Sequence, residues 1–172
     1  MAEADADRLV RRLPELPAPL ALFGLLLEWT GWRPEDLAKV RRRSGCITTL
    51  EYKTQRARDR HPPLVFAILP GALPARLDDY FSRVPIGSRL WSATGATLRS
   101  RLSTAVGIPV PAYGLRVRRL RDLARRLPRS TIIEHSRHRA ERGLDPYVGA
   151  RPSQAQLTVA RLVTATLPSP GH

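Results

Sequence analysis

The sequence predicts an α+β domain that is mostly helical, with a small antiparallel sheet or hairpin near residues 46–69. Three observations carry this. Leu115, Leu120, Leu123 and Leu127 recur at helical spacing, so they line one apolar face while most of the intervening arginines lie off it. Pro19 to Trp29 is apolar almost all round, the pattern of a buried helix. Cys46 to Tyr52 is instead β-branched and aromatic. A polar turn, Lys53 to Arg60, separates it from a second strand-like run, His61 to Leu69, whose start Pro62 and Pro63 confine to a sheet edge.

The other elements follow in order. Residues 1–17 read as a flexible lead-in, because Pro14, Pro17 and Pro19 interrupt any helix. Gly31 suits the end of the first buried helix and Pro34 the first turn of the next, which leaves Arg33 in a tight corner between them. Ala72 to Val84 and Leu98 to Val106 read as helices, the first with Leu73, Leu77, Tyr80 and Phe81 on one side. Pro128 stops the arginine-rich helix. Ser130 or Thr131 is then placed to cap another, with Glu134 set for a capping box. Gly143 and Pro146 break the chain before Tyr147, and Ser153 opens a last helix before a tail at 168–172.

A length of 172 residues suits one domain with a real core, and 42% hydrophobic content supports folding. The formal charge of +14 and the pI near 11.5 call for a polyanionic partner, most simply nucleic acid. A basic ribosome- or membrane-associated protein is the plainer alternative. Lys39 and Lys53 are the only lysines, so arginine carries the positive charge. Cys46 is the single cysteine, which excludes an intrachain disulfide and a cysteine-based zinc site. The start, Met1 to Asp7, is acidic and lacks a signal peptide's basic opening. The apolar run Leu20 to Leu27 is too short to span a membrane. A cytoplasmic, nucleoid-associated location is expected. No glycine-rich phosphate loop and no carboxylate cluster suggests a cofactor or metal.

Two stretches carry chemistry. The first is Thr30-Gly31-Trp32-Arg33, followed by Asp36-Leu37. The second is Tyr113-Gly114-Leu115-Arg116, then Thr131-Ile132, Glu134 and His138, with Tyr147 nine residues after His138. Together they resemble the catalytic domain of the tyrosine recombinases, or phage-type integrases. That family carries Thr-Gly-x-Arg-x-x-Glu-Leu, a lysine in a β-hairpin turn, His-x-Leu-Arg, Thr-Ile-x-Glu-Leu-Leu-Gly-His and a late tyrosine. Here Lys53-Thr54 stands at the hairpin turn, and Tyr113 replaces the first histidine. His135-Ser136-Arg137 replaces Leu-Leu-Gly. His135-Ser136 also mimics the family's Gly-His-Ser, which makes His135 an alternative histidine, although the spacing to Arg116 and Tyr147 favours His138.

The resemblance implies a catalytic set of Arg33, Lys53, Tyr113, Arg116, His138 and Tyr147. A phosphodiester gathers charge on its non-bridging oxygens in the transition state, and two planar guanidinium forks, Arg33 and Arg116, suit it. Both are expected to be needed for cleavage and not for folding. Tyr147 is the expected nucleophile and Lys53 the general acid on the leaving 5′-oxygen. His138 is expected to bond the phosphate or help deprotonate Tyr147, and Tyr113 to donate a hydrogen bond to the phosphate. No metal or cofactor is needed. Arg56, Arg58, Arg118, Arg119 and Arg121 are expected to contact DNA.

The implied organisation is a catalytic domain over 18–167, without the family's N-terminal helical clamp. The implied function is site-specific recombination or integration of double-stranded DNA, in the manner of a mobile element, with self-association on DNA through the C-terminal helix and no membrane partner. Two alternatives stay open: a non-catalytic DNA-binding relic of such an integrase, and an unrelated basic RNA- or ribosome-binding protein.

Overall fold

The structure is a computed structural model that describes residues 3–49, 63–111 and 113–136. Helix α2, Ala18–Thr30, is its spine. Its weak amphipathicity matches its position, since Ala21, Leu22, Phe23, Leu26 and Leu27 are all buried. Each fully buried Leu or Phe contributes about 1.5–3 kcal/mol relative to exposure. Trp91 meets Phe23 edge-on at 5.3 Å, and its indole N–H donates to the Pro19 carbonyl at 2.9 Å. Gly31, at φ 61, ends the helix in the left-handed conformation, with its N–H on the Leu27 carbonyl.

Pro34 opens a short helix α3, Pro34–Ala38, with Arg33 at its N-cap position. The sheet follows: β1, Arg41–Arg43, β2, Cys46–Thr49, and β3, Leu64–Ala67, antiparallel in the order β1-β2-β3. The pair around 46–69 was legible. Strand β1 was not, because three consecutive arginines show neither the alternation nor the β-branched and aromatic side chains that mark a strand. It is held by neighbours on both sides. Arg42 pairs with Ile47 across β2, while on the other edge its N–H donates to the Ser88 carbonyl at 2.9 Å and its carbonyl accepts from Gly87 N–H at 2.8 Å. The expected turn at Lys53, the expected last helix and the tail lie outside the described residues.

The lead-in expectation over 1–17 is corrected. Glu3–Arg12 is a helix, α1, followed by a 3-10 turn at Leu13–Glu15. Its apolar residues fall on one side, and Ala6, Leu9, Leu13 and Leu16 are buried in the main core. The prolines only end this helix; Pro14 occupies the first turn of the 3-10 segment, where its missing N–H costs nothing.

Helix α4, Ala75–Arg83, helix α5, Gly95–Val106, helix α6, Gly114–Arg126, and helix α7, Arg129–Ser136, complete the described chain. The expected caps of α7 are corrected too: the helix starts at Arg129, so Ser130 and Thr131 lie inside its first turn, and Ile132 N–H reaches back to the Pro128 carbonyl. Leu120 of α6 and Ile132 of α7 are fully buried against each other's helix in a small second core. Among the described residues no helix is long and apolar enough to cross a membrane.

Helices α3 and α5 meet at Gly95. A Cβ there would lie 2.4 Å from the Pro34 carbonyl carbon and oxygen, and the Gly95 N–H donates to the Glu35 carboxylate at 3.2 Å. The obstructing atoms are backbone, so they cannot rotate away. Gly95→Ala is expected to push α3 from α5 and to lower stability by about 1–3 kcal/mol, or roughly 3–10 °C in melting temperature for a chain of this size. Thermal unfolding checks this, and an unchanged midpoint would contradict the contact. Because Arg33 caps α3, the same change should also shift that side chain.

Candidate functional site

Three distant segments meet at one corner. Helix α2 ends in Thr30-Gly31-Trp32, and Arg33 follows. The Thr30 hydroxyl donates to the Leu26 carbonyl at 2.7 Å and accepts from Trp32 N–H at 3.0 Å, so the corner is folded onto its own helix. Arg116, two positions into α6, is buried at 3% exposure. One terminal nitrogen donates to the Gly31 carbonyl at 2.8 Å and the other to the Ser136 carbonyl at 3.0 Å. The guanidinium fork therefore ties the corner to the end of α7. Ser136 closes that end with its own hydroxyl on the Ile132 carbonyl.

His135 completes the junction. Its Nε2 lies 2.6 Å from the Thr30 carbonyl oxygen. A carbonyl only accepts, so Nε2 carries the proton and Nδ1 is the ring's acceptor. The imidazole also tilts against Trp32 at 6.2 Å, and Trp32, 1% exposed, meets Phe66 of β3 edge-on at 6.5 Å. Burial pushes the His135 pKa below its ordinary value. The Thr30 bond opposes that, while Arg119 and Arg116 add to it.

This has a consequence for pH. The unfolded chain binds the His135 proton more readily than the folded one. His135 therefore contributes stability above about pH 6.5 that is lost as pH falls through the lower folded value. His135→Gln keeps an N–H donor for Thr30 and does not titrate. In urea unfolding the parent is expected to lose stability relative to this variant as pH drops from about 7.5 to about 5. A constant difference across that range would contradict the assignment.

The other expected residues are placed as follows. Arg33 is exposed, and it lies two residues along the chain from the carbonyl that Arg116 holds. Tyr113, 51% exposed, stands at the N-cap of α6 and lines a cleft of about 690 Å³ between α1, α2 and α6. Arg118, Arg119, Arg121 and Arg125 line the same cleft, with Glu28 and Asp122 among them. Arg118 is braced inside the fold by Asp7 at 2.8 Å and Glu28 at 3.6 Å, and Arg119 by Asp122 at 3.0 Å. Burial raises the Glu28 pKa, outweighing the pull of Arg118 and Arg119. Arg121 is exposed. Lys53, Arg56, Arg58, His138 and Tyr147 lie outside the described residues.

Arg116 was expected to matter for cleavage and not for folding; its burial and its fork on two backbone carbonyls give it a structural tie as well. Sequence reasoning placed Thr30 and Trp32 in the Arg33 motif but gave neither a role. The signal for both was present in the string Thr-Gly-Trp-Arg, where a buried indole follows a helix-ending glycine. Gly31 itself is required by close approach as well as by its φ, since a Cβ there would lie 3.0 Å from Arg119 Cβ and Cγ.

No family model matches the chain, and no curated protein matches it. Solved structures do. The chain is similar to the crystal structure of XerA recombinase, at 16% identity and a TM-score of 0.65, covering 98% of this chain and 65% of that one. It is also similar to XerH site-specific recombinase bound to difH substrate in a pre-cleavage complex, at 13% identity and a TM-score of 0.58, covering 95% of this chain and 54% of that one. The chain thus spans between about half and two thirds of their length. At these identities the likeness is one of fold, and the fold is that of the tyrosine recombinases.

Proposed function

We propose that this protein is a site-specific DNA recombinase that breaks and rejoins duplex DNA through a 3′-phosphotyrosyl bond. The observation that carries this reading is the Arg116 junction. On a recombinase-like fold, it joins the segment of each recombinase motif that is described: the corner before Arg33, the Tyr113–Arg116 turn, and the end of the helix that precedes His138. The net charge of +14 supports a DNA partner.

In the proposed reaction the Tyr147 phenolic oxygen attacks the scissile phosphorus. A Tyr–O–P bond forms, the bond from phosphorus to the 5′-oxygen breaks, and Lys53 protonates the leaving oxygen. Attack by a 5′-hydroxyl from the same or another duplex reverses the step. Arg33 and the remaining donors of Arg116 stabilise the charge on the phosphate. His138 bonds the phosphate or takes the phenol proton, and His135, neutral and anchored to Thr30, supports the corner. Tyr113 donates to a phosphate oxygen. Self-association on DNA through the C-terminal helix, a nucleoid location and a mobile-element origin belong to this same reading.

One observation favours a second reading. Both terminal nitrogens of Arg116 serve backbone carbonyls, as they would in a DNA-binding relic that keeps the fold without the chemistry. A nicked suicide duplex, which loses a short fragment after cleavage, separates the two. The parent chain should become covalently linked to DNA. Tight duplex binding with no adduct on any site would favour the relic. In either case duplex affinity is expected to fall steeply and linearly with the logarithm of salt, with a slope of about 0.9 for each phosphate neutralised. Fluorescence anisotropy over a salt series measures it, and salt-insensitive binding would contradict a phosphate-tracking surface.

A further inference from the structure

The register of the sheet sorts its residues onto two faces. Arg42, Ile47 and Phe66 form one cross-strand row, and Thr49 and Leu64 another on the same side. Ile47 and Leu64 are buried there, and the Arg42 guanidinium lies over the Phe81 ring at 5.3 Å and donates to the Val84 carbonyl. This is the core face. Side chains alternate along a strand, so Arg41 and Arg43 lie on the opposite face, in rows with Thr48 and Val65 and with Cys46 and Ala67. Arg43, Val65 and Ala67 are exposed, Arg41 and Cys46 are half-buried and Thr48 is buried, so this face is open chiefly around Arg43, Val65 and Ala67.

A third arginine joins them. Arg41 pairs antiparallel with Arg89, and the flanking bonds run from Arg42 N–H to the Ser88 carbonyl and from Leu90 N–H to the Val40 carbonyl. The 41–89 pair is therefore the non-hydrogen-bonded kind, which brings facing side chains closest. Arg89 is exposed, and Arg41 donates to the Gly87 carbonyl at 2.8 Å, which draws its guanidinium over the same neighbouring segment. Arg41 and Arg43 are a two-residue step apart, about 6.6 Å along a strand, comparable to the separation of neighbouring phosphates on a nucleic-acid strand.

We propose that this outer face, Arg41, Arg43 and Arg89, holds the sugar–phosphate backbone of duplex DNA as a second contact surface, apart from the arginines of α6. The proposal rests on the recombinase reading for the identity of the partner. It extends that reading by adding a site: β1 lies just after α3, so a duplex held here is also held close along the chain to the Arg33 corner. These contacts position the DNA without reading its sequence, because a strand of arginines on a flat face meets phosphates and not base edges.

The test compares Arg43→Ala and Arg43→Glu with Arg101→Ala, which removes the same charge from an exposed position on α5. Duplex affinity is measured over a salt series. Arg43→Ala should reduce the salt slope by about one, and Arg43→Glu should weaken binding further at every salt concentration. Arg101→Ala should leave the slope unchanged. If Arg43→Ala keeps the parent slope, or loses no more than Arg101→Ala, the proposal is overturned while the recombinase reading stands. If the parent binds no duplex at low salt, the reading fails and the proposal falls with it. The suicide-duplex adduct reports on the chemistry separately.

Discussion

Arg116→Ala is expected to lower the melting temperature by roughly 5–15 °C, the sum of its two lost backbone ties at about 1–3 kcal/mol each. Arg116 is 3% exposed and donates to Gly31 and Ser136 from different ends of the chain, so no water replaces it easily. Without it, two carbonyls lose their shared donor, and the corner that presents Arg33 separates from α7. Arg116→Lys should lie between parent and alanine in stability, because one ammonium cannot span both carbonyls as the fork does. Its cleavage rate, measured on the folded protein, should still fall by on the order of a hundredfold, the scale for losing one transition-state donor. A lysine variant that cleaves as well as the parent would remove Arg116 from the chemistry and leave it only the structural role.

The second large effect is on Tyr147. A free phenol ionises near pH 10, so at neutral pH it needs activation by neighbouring positive charge or a base. Tyr147→Phe loses a single hydroxyl. It should bind duplex DNA with the parent's affinity and salt dependence, yet form no covalent adduct on a nicked suicide duplex. Tyr113 is the tyrosine whose placement most needs distinguishing from it, since Tyr113 is exposed beside the arginines of the α6 cleft. Tyr80 is not a rival: its hydroxyl donates to the Leu90 carbonyl at 2.7 Å and is half-buried.

Much of this was legible because local rules and tertiary packing agree. Gly31 and Pro34 bracket a helix end and a helix start, so the Arg33 corner could be read from the string alone. The leucines of α6 mark its buried face in the same way. Where the two levels diverge, the reading failed. Nothing in Arg41-Arg42-Arg43 favours a strand; pairing with β2 and with residues 87–90 imposes one. Proline spacing suggested a loose start, yet Leu9 and Leu13 find a core that only the folded chain provides. Arg116 shows the limit most clearly. Its place in a motif was readable, but that its fork would hold two carbonyls 85 and 20 residues away was not, because those partners come together only through the fold.

If the recombinase-like fold carries recombinase chemistry, the residue joined to DNA is Tyr147. The covalent complex from the suicide duplex is digested with protease and nuclease, and the peptide bearing the nucleotide remnant is sequenced by mass spectrometry. The expected product carries a phosphodiester on Tyr147, and the Tyr147→Phe variant carries none. Linkage through Tyr113 or any other residue, or an adduct that survives Tyr147→Phe, would contradict it.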